Sequence, residues 1–155
     1  RLMAYLALSK SETIRKDMIE ASKKGDVDST NILKLAIASI KNAEIAKGDK
    51  LSDGEILKVL RKEESKIKDS IAEFTKMGRK DLIERESRQL KVISSYLPKL
   101  MSREEIEKVV SKAVADTHAE GLKSMAAVMG IVMKELNGKA DGSVVKEVVQ
   151  EFLSK

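Results

Sequence analysis

The chain has no cysteine and no tryptophan, one proline, one histidine, and only two phenylalanines and two tyrosines among 155 residues. Without cysteine there is no disulfide, no thiolate metal site and no thiol nucleophile. This absence fits a reducing compartment, and a cytoplasmic location is expected. A single histidine, His118, removes paired Glu-x-x-His metal sets. It also leaves His118 as the sole imidazole base, beside Thr117 and Glu120 at a helix end, where a plain polar role is expected. No apolar run approaches the roughly 20 residues that cross a bilayer. The apolar opening from Leu2 to Leu8 is short and has no small-residue cleavage site, so it does not read as a signal peptide. Arg1 and Leu2 read as additions ahead of Met3. With so few aromatic residues, the core must be aliphatic.

What is present favours helix. The chain is 42% hydrophobic and 35% charged, and Ala, Leu, Glu, Lys and Met favour helices, whereas strands favour β-branched and aromatic side chains. Three segments, Ser9–Glu12, Ser52–Glu55 and Ser102–Glu105, carry the Ser-x-x-Glu pattern of a capping box. Helices are expected from there to about Lys24 with a stop at Gly25, then from a cap at Asp28, Ser29 or Thr30 to Gly48. The inward positions of the second are Ile32, Leu35, Ala36, Ser39, Ile40 and Ala43. A long helix follows Ser52, with Leu57, Leu60, Glu64, Ile67, Ile71 and Phe74 on one stripe. After the break at Gly78 a further helix faces Leu82, Ile83, Leu90, Ile93 and Leu97 inward. The short break implies a long antiparallel hairpin.

Pro98 stops this run, because it lacks an N–H and disfavours helix in the residue before it. The expected architecture is therefore all-α. An N-terminal helical domain with the hairpin covers 1–98, and a small three-helix C-terminal domain covers 99–155. The three tail helices are expected at about 103–117, 124–136 and from Asp141 to Leu153. The valine-rich last segment could be taken for a strand, but its spacing and the Asp141 cap favour helix. Charge is uneven. Residues 1–98 hold 21 Lys and Arg against 16 Asp and Glu, and residues 99–155 hold nine of each. A modest basic excess suits either a solvated surface or an RNA partner.

No catalytic residues, cofactor or metal site are expected. Glu63 and Glu64 point about 100° apart on a helix and do not converge on a substrate. Gly138-Lys139-Ala140-Asp141-Gly142-Ser143 lacks the spacing and preceding strand of a Walker loop. Its physical parts still define a corner. Gly138 can take a left-handed turn, Asp141 can cap, and the N–H groups near Gly142 and Ser143 lie at a positive helix end beside Lys139. Lys134 lies nearby, so Lys134, Lys139, Gly142 and Ser143 are the candidates for contact with RNA. Met125, Met129 and Met133 share a helix face next to Gly130, which permits close backbone approach. That stripe reads as core or as an adaptable docking surface for a partner.

The stretch Met125-Ala-Ala-Val-Met129-Gly130-Ile-Val-Met133, with the corner Gly138–Ser143, resembles the signature of YqeY-like proteins in the GatB/YqeY family. Ser95-Tyr96-Leu97-Pro98 and Ser102–Glu105 are similar to that family's junction, and Asp17-Met18, Leu33-Lys34 and Ile45 add a less specific likeness. Ala127 and Asn137 depart from it, where members commonly carry basic residues. The resemblance implies a two-domain helical fold with a tail like that of the tRNA-dependent amidotransferase B subunit, whose tail contacts tRNA. It implies tRNA, amidotransferase subunits or an aminoacyl-tRNA synthetase as partners. The family-level activity would be carbon–nitrogen ligation with glutamine as amido donor, but no segment resembles that enzyme's catalytic parts. A protein-interaction adaptor without RNA is the alternative. Oligomeric state is left open.

Overall fold

The computed structural model describes residues 9–155. The expectations for Arg1, Leu2 and the segment Leu2–Leu8 lie outside these residues. Among the described residues there are seven α-helices, one 3-10 turn and no strand. The chain divides into two compact units, one ending at Pro98 and one running from Lys99 to Lys155.

The first unit contains α1 (Lys10–Lys23), α2 (Val27–Lys47), α3 (Asp53–Lys76) and α4 (Lys80–Ser94). The start of α1 is set by Ser9, whose hydroxyl accepts the Glu12 N–H at 3.2 Å. The cap of α2 is Asp26, not Asp28, Ser29 or Thr30. Its carboxylate accepts the Ser29 N–H at 3.1 Å and the Ser29 hydroxyl at 2.7 Å, while Thr30 donates to the Asp26 carbonyl. The chain leaves α1 through Gly25 at φ +74°, so the first residue able to cap is one position past that turn. At the start of α3, Ser52 and Glu55 form a full capping box, satisfying two otherwise orphaned N–H groups. The three residues 77–79 then join α3 to α4, with Gly78 left-handed at φ +67°.

Helix α2 packs against each of the other three, and α3 packs along α4. Ile14, Ile32, Leu33, Ala36, Ile40, Ile56, Leu60, Ile67 and Ile93 form one core. Leu35, expected inward, is 49% exposed. Leu33 is buried instead. Positions two apart on a helix point roughly 200° apart, so both registers satisfy helical spacing and only the packing of α2 selects one. Ile56 and Glu63 also join the buried face of α3, which the sequence stripe omitted.

The second unit contains α5 (Arg103–Thr117), a 3-10 turn (Leu122–Ser124), α6 (Met125–Leu136) and α7 (Gly142–Leu153). Ser102 and Glu105 close a capping box. Helix α5 ends at His118, which is left-handed at φ 52°. The three helices pack pairwise around Ile106, Val110, Val128, Val132, Leu136, Val145, Val148, Val149 and Leu153. The valine-rich last segment is helix α7, and Asp141 caps it.

Candidate nucleic-acid interface

The corner between α6 and α7 is held from both sides. Leaving α6, the backbone turns at Gly138, left-handed at φ +76°, and the Lys139 N–H donates to the Leu136 carbonyl at 2.9 Å. The Lys139 carbonyl in turn accepts the Met101 N–H at 3.0 Å, tying the corner to the segment that precedes α5. Gly138 and Ala140 are buried while Lys139 between them is exposed. Alternate residues are thus turned inward and outward, and the lysine is presented on a fixed backbone. Lys134 on the last turn of α6 is exposed as well.

The amides at this corner differ from the expectation. The Ser143 N–H donates to the Asp141 carboxylate at 2.9 Å and the Ser143 hydroxyl donates to the same oxygen at 2.7 Å. These two bonds, hydroxyl first, hold the Asp141 carboxyl below its ordinary range. A carboxylate of the protein therefore sits where an external anion would bind the helix N-terminus. Ser143 is committed to Asp141, and Lys139 is an exposed cation of the corner. A Cβ placed on Gly142 would meet nothing within 4 Å, so the corner stays open to solvent.

Met125, Met129 and Met133 are partly buried and pack against the tail core, behind the fully buried line of Val128 and Val132. Gly130 does not mediate a close approach. It is exposed, and a Cβ there would also meet nothing within 4 Å. Its position, two residues from both Val128 and Val132, places it opposite the packed face.

In the first unit the structure adds something that local patterns do not show. Glu63, 5% exposed, accepts the Ser39 hydroxyl of α2 at 2.9 Å and lies 3.4 Å from the Lys66 ammonium. Glu64 accepts the Ser94 hydroxyl of α4 at 2.7 Å and pairs with Arg61 and Lys68. The two carboxylates diverge, as their 100° offset requires, toward serines on different helices. Asp17 accepts the Tyr96 hydroxyl at 2.5 Å. That bond lies near a cleft of about 260 Å³ lined by Lys10, Thr13, Ile14, Leu60, Ser95 and Tyr96. Asp28 pairs with Arg88 at 2.6 Å, and Glu44 accepts the Leu51 N–H.

The surface consequence is large. From residue 9 to Pro98, eighteen of the twenty Lys and Arg residues are exposed, but only nine of the sixteen Asp and Glu are. From Lys99 onward eight basic and eight acidic residues are exposed. The cationic surface thus belongs to the first unit. The only signal of it in the sequence is the modest difference in formal charge. No group of His, Asp or Glu able to hold a metal is present among the described residues, and none of their helices is long and apolar enough to cross a membrane.

These features belong to a helical protein with polar outer faces. The model of the family described as Yqey-like protein matches residues 11–153, and the chain belongs to that family. Two relatives named "Altered inheritance of mitochondria protein 41, mitochondrial" are similar over most of the chain. The one from Pyrenophora tritici-repentis is 28% identical, covering 90% of this chain and 78% of the relative. The one from Kluyveromyces lactis is 34% identical, covering 83% and 67%. A shorter likeness, 43% over 60 residues, is to the E subunit of the glutamyl-tRNA(Gln) amidotransferase of Methanobrevibacter smithii. It spans 36% of this chain and 10% of that protein. Such partial matches support the resemblance to an amidotransferase tail, here through the E rather than the B subunit. The expected cytoplasmic location is corrected by the mitochondrial names of the longer relatives. Absence of cysteine excludes disulfides but does not separate one reducing compartment from another.

Proposed function

We propose that this chain is an amidotransferase-related accessory module that contacts tRNA and has no active site of its own. In this reading, residues 1–98 are a helical domain built on the α3–α4 antiparallel hairpin, and residues 99–155 are a tail domain. The observation that carries the reading is the pinned corner at 138–143, which presents Lys139 outward from backbone held by the Met101 and Leu136 bonds. A fixed backbone removes one part of the ordering cost of meeting a phosphate. The partial likeness to an amidotransferase subunit, named for glutamyl-tRNA(Gln), supplies the choice of RNA. The mitochondrial names of the longer relatives support an organellar setting.

The test is a titration of the whole chain with total tRNA at two salt concentrations. Affinity near the non-specific range, a Kd of about 10⁻⁴–10⁻⁶ M at physiological salt, and a steep fall with added salt are expected. Lys139→Glu should weaken binding. Asp141→Asn, which retains an acceptor for the Ser143 N–H while removing a negative charge from the corner, should strengthen it a few-fold. Indifference of tRNA affinity to both substitutions would refute the role of the corner. Capture of a protein partner without any RNA shift would favour the adaptor reading.

A further inference from the structure

We infer that the outer face of α2 is the main docking surface for a double-helical RNA stem. This deepens the tRNA reading above and shares its choice of ligand, but it places the contact on residues of the first unit and not on the 138–143 corner. The outward residues of α2 include Asn31, Lys34, Ala38, Lys41 and Asn42, all exposed. No exposed residue of this 21-residue helix is acidic. Its two carboxylates, Asp28 and Glu44, are both only partly exposed and engaged elsewhere, with Arg88 and with the Leu51 N–H. Among the described residues, neither Lys34 nor Lys41 enters an ion pair. Both ammonium groups are therefore available to an external anion.

The chemistry of this face selects the ligand. Lys34 and Lys41 lie seven residues apart, about 10 Å along the helix axis, a span that a regularly charged backbone can match. Asn31 and Asn42 flank them on the same face and supply amide groups of the kind that bond ribose 2′-hydroxyls and phosphates. Ala38, between the two lysines, is too short to hold a sugar–phosphate strand away from the helix. A duplex of A-form RNA is recognised largely through its 2′-hydroxyls and phosphates, across its shallow minor groove. Single-stranded RNA is held instead by stacking on aromatic rings, and this helix carries no aromatic residue. The surrounding surface supports the same choice, because the first unit turns seven of its sixteen carboxylates away from full exposure and leaves its cations outside. Val27, Leu35 and Ile45, 66%, 49% and 71% exposed, interrupt the polar face, but Asn31, Lys34, Lys41 and Asn42 stand between them, so they do not form the continuous apolar stripe that a membrane-surface helix needs.

The experiment uses the whole chain and three charge-altered forms: Lys34→Gln with Lys41→Gln, Lys76→Gln with Lys80→Gln as a charge-matched control in the same unit, and Lys139→Glu. Each is titrated with folded total tRNA across a salt series, with thermal unfolding followed in parallel. The α2 form should bind about tenfold or more weakly at low salt, with a log–log salt slope shallower by about 1.5 to 2, and should melt like the parent. The control should lose much less. Equal losses in the α2 form and the control would overturn the inference, because net charge alone would then explain them. An α2 form that binds as the parent does while Lys139→Glu fails would overturn the inference and leave the corner reading standing. The reverse result would support α2 and remove the corner. Absence of any salt-sensitive tRNA binding by the parent would overturn both. Loss of binding to phosphatidylserine vesicles in the α2 form, with tRNA affinity unchanged, would also overturn the inference in favour of a membrane.

Discussion

The two units use the same helical materials and dispose of their charge in opposite ways. The first draws carboxylates into contacts between helices, such as Glu63 to Ser39 and Glu64 to Ser94. Its exterior exposes more cations than carboxylates. The second packs Val128, Val132, Val145, Val148 and Val149 without exposure, and its acids and bases stay outside in equal number. Thr30 and Glu63, buried polar residues, both belong to the first unit. Formal charge is therefore a poor guide to surface charge when one sign is preferentially used inside.

The strongest way to break this contrast is to open each core separately. Leu60→Ala in the first unit and Leu136→Ala in the second should each cost about 2–5 kcal/mol. Hydrogen exchange should show the loss mainly in the unit that carries the substitution. Opening of both units by either change would mean that they do not fold as separate cooperative bodies.

A smaller effect tests the inward carboxylates. Glu63→Ala leaves the Ser39 hydroxyl without its acceptor and should cost about 1–3 kcal/mol. Glu63→Gln can still accept that bond and should cost less. Chemical denaturation of the two variants gives the difference, and equal costs would show that the hydrogen bond to Ser39 contributes nothing. The capping boxes provide a comparison expected to be even. Ser52→Ala and Ser102→Ala should each cost about 1 kcal/mol, read as shifts in the unfolding midpoint of the corresponding unit. A cost confined to one would show that local capping does not act alike in the two.

The smallest effect is one of pH. The Lys47 ammonium, followed by the Ser52 backbone and side chain, lowers the Glu55 carboxyl from 4.5 to about 2. A lowered folded value means that the contribution of this group is present above the ordinary carboxylate range and is lost as pH falls from about 4.5 toward 2. Carboxyl NMR should find Glu55 ionised well below its ordinary 4.5, and Lys47→Met should raise its midpoint. Because the side chain is 34% exposed and screened by solvent, the accompanying change in stability should be small. A midpoint in the ordinary range for the unaltered protein would show that the pair does not persist in solution.

The amino-acid order by itself determined the all-helical character of the protein and most of its helix ends. Those depend on interactions within a few residues: Ser52 with Glu55, Ser102 with Glu105, Asp141 with Ser143, and glycines that take positive φ. The corner at 138–143 was legible for the same reason. Tertiary structure decided what local spacing leaves degenerate. It selected Leu33 over Leu35 and left Gly130 facing solvent. It also determined which carboxylates turn inward, because Glu63 and Glu64 find Ser39 and Ser94 only after α2, α3 and α4 have packed. A surface charge pattern is what remains after such long-range pairings are made, so no reading of neighbouring residues could have contained it.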